Sequence, residues 1–467
     1  MDKRSRWLAL ASATAILVAA CGNTATSVAP SVAPSVAPSV APSVAPSVAP
    51  SVAPSAEPVT ITFRTRPDND AEAEVYESVA AKVSEILGDV TVVYQKGGSE
   101  TAGYQDTIKT EAAAGTAPDV FWIPGTDTAE FGTKGITLNL REYAAADATY
   151  KDSDFYPGPM YHLTFDPATG QPGGPLWGLP RDVSTFGLYL NTDLIAEAGA
   201  EDPRELAKNG QWTWAKFEEV ATKIAALGDG VKGYGASSWW GPYGVWLNGA
   251  GGGFFNADRT ACALDTPESI AGLTQLKKIY GVADLALKYG EDAEPVFLAG
   301  KIGMFQNGRW ATPNIRTNAK FNWDVVALPD GPKPGGNWLF WGSYAANAKT
   351  ANPEAAWRVI QALTSPEIQA MVSELGANIP SRVGDQAKAD FLGFTPPANN
   401  QAFLDGLANN SVAEGPLWPS ADAPGASWPK FDTVMGAAVT AVVNGEKTID
   451  QFKATICTEA NAEGFGS

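Results

Sequence analysis

Apolar and polar positions begin to alternate regularly at Val59. Val59-Thr60-Ile61-Thr62-Phe63 has the two-residue period of a strand, and Val75, Val79, Val83, Ile86 and Leu87 then recur at helical spacing. Val90-Thr91-Val92-Val93-Tyr94 predicts a second strand. A helix around Tyr104 to Ala114 ends at Gly115, and Pro118 to Ile123 predicts a third strand. Strand and helix alternating in this order point to a parallel sheet with helices on both faces. Farther along, capping residues mark helix starts. Thr213 precedes a helix from Trp214 to Leu227, and Thr266-Pro267-Glu268, Asn352-Pro353-Glu354 and Ser365-Pro366-Glu367 each put proline in a first turn. Gly376 after Leu375 reads as a C-terminal cap. The last helices are predicted over Phe431 to Val443 and Ile449 to Asn461, so the α/β pattern runs almost to the end.

The region before Val59 follows no such pattern. Lys3, Arg4 and Arg6 precede an apolar run from Trp7 to Val18, which has signal-peptide length and is too short to span a bilayer as a helix. Small residues lead to Cys21, an arrangement that resembles a bacterial lipobox; the plainer alternative is a secretory signal with an incidental cysteine. The expectation is a signal over 1–20 and a lipid-anchored stalk over 21–58. Within that stalk Ser-Val-Ala-Pro repeats from Ser27 to Pro54. Proline at every fourth position blocks helix and sheet ladders, and the small side chains have nothing to bury, so an extended, solvated spacer is expected.

The formal net charge is −18. Such a surface repels nucleic acid, and no basic run interrupts it, so no nucleic-acid partner is expected. The roughly 410 residues after the stalk exceed what one core usually serves, which predicts two domains. Apart from Cys21 the cysteines are Cys262 and Cys457, which form either one disulfide or two separate buried thiols. The chain has no G-x-x-x-x-G-K-[ST] phosphate loop, and His162 is its one histidine. That excludes P-loop ATP hydrolysis by this chain, a histidine-rich metal site and most Ser-His or Cys-His catalysis. No cofactor or metal is expected. His162 reads as a loop or interface residue, and Gly249 to Gly253 as a loop.

Several stretches, in order, resemble one family. Gly115-Thr116-Ala117-Pro118-Asp119-Val120, Gly178-Leu179-Pro180 followed by Leu188-Tyr189-Leu190-Asn191-Thr192-Asp193-Leu194, and Trp212-Thr213-Trp214-Ala215-Lys216-Phe217 are three of them. Gly300-Lys301-Ile302-Gly303-Met304-Phe305 with Gly308-Arg309-Trp310, Asn352 to Trp357, and Ile379-Pro380-Ser381-Arg382 complete the set. Together they are similar to the extracellular solute-binding proteins of sugar-importing ABC transporters, the group that includes maltose-binding protein. The resemblance implies a two-lobe α/β fold of the periplasmic-binding-protein type II, three hinge crossings and a ligand cleft between the lobes. By position, lobe one holds 59–182 and 344–388, and lobe two holds 183–343 and 389–467. It also implies a monomer on the outer face of the cytoplasmic membrane, working with permease subunits and a separate ATPase.

Fifteen tryptophans against five methionines sharpen that expectation. Indole faces suit the C–H patches of a sugar, while carboxylates, amides and guanidinium groups satisfy its hydroxyls. Trp122, Trp239, Trp240, Trp246, Trp310, Trp341, Trp418 and Trp428 sit beside Gly or Pro or in loop-like contexts; partial burial under a loop is the alternative for any one of them, and Trp357 reads as helix packing. On the resemblance, the ligand-binding candidates are Arg66, Asp68, Trp122, Asp182, Trp240, Trp310, Trp341, Tyr344, Arg382 and Trp428. Asp68 with Asp70, Glu72 and Glu74 also suits an acidic helix start. A secreted glycoside hydrolase, with a pair of carboxylates for acid–base work, is the main rival, though no pair stands out. An adhesive carbohydrate-binding envelope protein and a cargo of another small polar solute are the remaining alternatives.

Overall fold

The computed structural model describes residues 58–466 apart from 68, 69, 99, 100, 377, 409–415 and 422. The predicted signal, Cys21, the repeat and Asp68 therefore lie outside the described residues. The strands in chain order are β1 (Val59–Thr65), β2 (Val90–Lys96), β3 (Val120–Pro124), β4 (Leu179–Ser184), β5 (Phe186–Asn191), β6 (Lys232–Ala236), β7 (Ile302–Gly308), β8 (Trp323–Val326), β9 (Phe340–Ala346) and β10 (Ile379–Pro380).

They form two sheets, one in the order β10-β4-β9-β3-β1-β2 and one in the order β6-β7-β5-β8, each the centre of a lobe. β1 pairs with β2 and β3 in parallel, as the sequence predicts. Beyond β3 the expectation of a parallel sheet fails, because β9 runs antiparallel to β3 and β4, and β10 antiparallel to β4. The reason is topological: β9 enters from the other lobe, without the crossover connection that would bring it in parallel to β3. Both faces of the second sheet are covered. Phe186, Leu188 and Leu190 on alternate positions of β5 enter one core, while Tyr189 enters the other with Phe305.

The polypeptide passes between the sheets at Thr185, between Val326 and Phe340, and after Pro380. These crossings are bonded to one another. The Thr185 hydroxyl donates to the Phe403 carbonyl at 2.7 Å. Asn337 accepts from the Phe186 N–H at 3.1 Å and donates to the Phe186 carbonyl at 2.8 Å, the pairing a neighbouring strand would give. Asn399 ties the third crossing to Asp324 and Val325 at 3.0 Å each. Arg309 is fully buried, its backbone N–H donating to Ser184 Oγ at 3.1 Å and its guanidinium 4.9 Å from the Phe391 ring and 5.4 Å from that of Phe403.

Thr213, Thr266 and Ser365 cap their helices as predicted, whereas Asn352 makes no capping bond. The first of the last two helices, Trp428–Val443, begins three residues earlier than its pattern suggests, with Pro429 in its first turn. Cys262 and Cys457 are joined as a disulfide, which ties the second lobe's 262 loop to the final helix, Ile449–Gly464. His162 is not a loop residue. It lies on the helix Pro157–Leu163, fully buried, and stacks on Trp341 at 5.8 Å.

Candidate ligand-binding site

Between the sheets lies a cavity of about 920 Å³, walled by residues of both lobes. Its first-lobe wall is largely polar. Arg66 follows β1, Glu72 lies in the first turn of the helix Asp70–Leu87, and Gln105, Asp106 and Lys109 come from the helix Thr101–Ala114. β3 ends at Pro124, and the tight turn Gly125–Asp127 that follows presents Thr126 and Asp127; β4 contributes Arg181, Asp182 and Ser184. This is where a crevice is expected, at the carboxyl ends of the parallel strands β1 and β3.

The charges on this wall are held in place. Arg181 bonds Asp182 at 2.6 Å and the Tyr76 hydroxyl at 3.0 Å, and its guanidinium lies 4.9 Å from the Trp122 ring. Arg66 lies 5.4 Å from the same ring. Lys109 bridges to Glu130 at 2.9 Å. Burial pushes the Asp127 carboxyl up to about 6 against the pull of Lys109, and its carboxylate accepts from Gln105.

The second-lobe wall is aromatic. Trp310 stands in the short turn Arg309–Ala311 after β7, Trp240 opens the helix Trp240–Ala250, and Trp428 opens the helix Trp428–Val443. Trp240 and Trp428 meet edge to face at 5.2 Å, and Phe340, on the second crossing, meets Trp310 edge to face at 5.3 Å. Trp239 completes the wall. Glycine makes this seating possible: a Cβ on Gly308 would stand 2.2 Å from the Trp310 ring, and one on Gly125 would stand 2.4 Å from that of Trp341. One turn beyond Trp428, Asp432 faces the same cavity, and burial raises its carboxyl to about 6.

The structure thus brings Arg66, Trp122, Asp182, Trp240, Trp310, Trp341 and Trp428 to one cavity. Tyr344 and Arg382 do not reach it. Tyr344 is on β9 but 1% exposed, its ring packed edge-on against Phe63 at 5.4 Å in the first lobe's core. Arg382 is a structural clamp: it donates to the Thr364 carbonyl at 2.6 Å, pairs with Asp154 at 3.2 Å and covers the Phe155 ring at 4.6 Å. Trp246 and Trp418 are buried away from the cleft, so a loop-like context misleads for both. The sequence reading passes over Asp127, Glu130, Lys109, Phe340 and Asp432. Only Asp432 carries a usable signal, as the residue four positions after Trp428 on one helix; placing the helix start at Phe431 hides it.

The family model for bacterial extracellular solute-binding proteins matches residues 72–370, and the chain belongs to that family. The galactooligosaccharide-binding protein of Bacillus subtilis is 22% identical over 374 residues, covering 77% of this chain and 81% of that protein. A maltooligosaccharide ABC transporter solute-binding lipoprotein of Streptococcus pneumoniae is 24% identical over 329 residues, 68% of this chain and 73% of its own length. Among solved structures, an ABC substrate-binding protein from Listeria monocytogenes in complex with cycloalternan superposes with a TM-score of 0.73 at 21% identity, covering 86% of this chain and 98% of that one. These likenesses fix the two-lobe fold.

Proposed function

We propose that this protein is the solute receptor of an ABC importer and takes a sugar or oligosaccharide into the cleft for delivery to a membrane permease. The observation that carries this reading is the cavity of about 920 Å³, with a charged and polar wall from the first lobe, which also presents Trp122 and Trp341, facing Trp239, Trp240, Trp310 and Trp428 of the second. A ring of C–H patches edged by hydroxyls matches that pair of walls, and relatives named for oligosaccharide transport support the choice. Delivery needs no covalent chemistry. A ligand touching both lobes favours the closed form, and docking of that form on the permease, powered by a separate ATPase, releases the cargo. The lipobox-like Cys21 and the Ser-Val-Ala-Pro repeat favour a receptor tethered to the outer face of the cell membrane, which we take to act as a monomer. We take 59–184 with 340–388, and 185–339 with 389–467, as the working division into lobes; the ends 182 and 344 of the sequence reading shift because β4 runs to Ser184 and β9 starts at Phe340 in one sheet.

A thermal-shift screen of mono- to tetrasaccharides tests this function. A cognate sugar at 100 times its Kd adds about 2.7 kcal/mol, and the sugar is recovered intact. Release of shorter products would support the glycoside hydrolase reading instead.

A further inference from the structure

Adjacent residues of one short segment are packed into different lobes. Leu417, Ala423 and Ala426 are buried in the second lobe's core with Phe431 and Phe465, and the Pro416 carbonyl accepts from Arg259 at 3.3 Å. Trp418, directly after Leu417, is instead buried with Ala129 and Phe165 of the first lobe and is only 6% exposed. Its ring stacks on Phe165 at 5.4 Å, with 21° between planes, and lies 6.0 Å from Trp177 at 27°.

The slot that receives it is well braced. The Trp177 indole N–H donates to the Phe165 carbonyl at 2.9 Å, and the Trp177 ring rests 3.2 Å from the Cβ position of Gly132. Gly132 belongs to the helix Thr128–Thr133, which also carries Glu130 of the cleft wall. The slot and the polar wall therefore move as one body. Among the described residues, the Trp418 indole N–H has no hydrogen-bond partner. It regains water when it leaves, which offsets part of the stacking and keeps the contact reversible.

Hinge opening about the three crossings separates the second lobe, which carries Trp418, from the first lobe, which carries Phe165 and Trp177. We propose that Trp418 is an interlobe latch: by docking between Phe165 and Trp177 it stabilises the closed form and slows ligand departure without touching the ligand. It is a positioning residue for binding, acting through the open–closed equilibrium. The latch follows from the two-lobe fold; only its effect on a sugar rests on the proposed function.

The experiment uses small-angle scattering and maltotriose release on the full chain, with Trp418→Ala, Trp418→Phe and, from the opposite lobe, Phe165→Ala, each checked for a cooperative melt. In ligand-free protein Trp418→Ala and Phe165→Ala should both raise the radius of gyration, and Trp418→Phe should restore it towards wild type. Maltotriose should dissociate roughly tenfold faster from the two alanine variants, with association little changed. Two folded alanine variants with wild-type scattering would overturn the latch. If Trp418→Ala does not fold, Phe165→Ala decides alone. Failure of maltotriose to bind the wild type would count against the choice of cargo, and the ligand-free scattering would still decide the latch.

Discussion

The two walls of the cleft differ in chemistry and in how the backbone presents it. On the first lobe, side chains come from strand ends and from one helix flank, and their charges are neutralised in place, Arg181 by Asp182 and Lys109 by Glu130. On the second lobe, Trp240 and Trp428 are the opening residues of helices and Trp310 sits in a turn, so large rings stand forward of the elements that carry them. Rings are rigid and lose little freedom on binding, whereas a polar wall must be pre-ordered to be useful. On the proposed function, each wall alone is half of the site. Strong binding then belongs to the form in which the lobes approach, which couples recognition to the shape a permease would read.

The largest expected effect comes from breaking the polar wall at its root. Asp182→Ala leaves Arg181, 11% exposed, without its carboxylate, and should destabilise the protein by about 3–5 kcal/mol in urea titration. An equal midpoint would show that Tyr76 and solvent suffice. Next, reducing Cys262–Cys457 releases the final helix, which packs beside the tryptophan-bearing helix Trp428–Val443; a loss of about 2–4 kcal/mol is expected, with the aromatic wall loosened before the polar one. Hydrogen exchange should therefore speed up around Trp428 and not around Arg181.

The aromatic wall is tested more gently by Trp310→Ala, which should cost about 2 kcal/mol of saccharide binding, close to 30-fold in Kd, with little change in melting temperature. The smallest effect concerns pH. Asp127 and Asp432, one from each wall, have folded-state values raised to about 6 by burial, above the unfolded carboxylate range. Their protonated forms therefore favour folding. That contribution is full below about pH 4 and is lost as pH rises through about 6, amounting to roughly 1 kcal/mol with solvent in the cleft. Asp127→Asn and Asp432→Asn should each flatten this slope in denaturation midpoints measured from pH 4 to 7.

Much of the fold was legible because its signals are local. Period-two alternation marks β1 and the start of β2, a continuous apolar run marks β3, and Thr213, Thr266 and Ser365 announce their helices by a side chain that bonds a nearby N–H. The antiparallel entry of β9 was hidden, because direction within a sheet depends on a chain path through the other lobe. In the site, tryptophans were easy to nominate and hard to sort. Trp310 and Trp246 have similar sequence surroundings, yet one lines the cleft and the other is 3% exposed in a core. Arg382 and Tyr344 lie near hinge crossings, where a shift of one pleat or one turn decides between cleft and interior. Asp127 gave no sign, since its place in the cleft wall depends on the turn Gly125–Asp127 and on the partner Gln105 from another helix.

A saccharide gripped by both walls at once is the central claim, and titration calorimetry on matched variants tests it most directly. The saccharide that shifts melting most in the screen should bind the wild type one-to-one, and Trp310→Ala and Asp127→Asn, one from each wall, should each weaken it while the protein stays folded. Full affinity in either variant, or no saccharide binding to the wild type at all, would contradict the account.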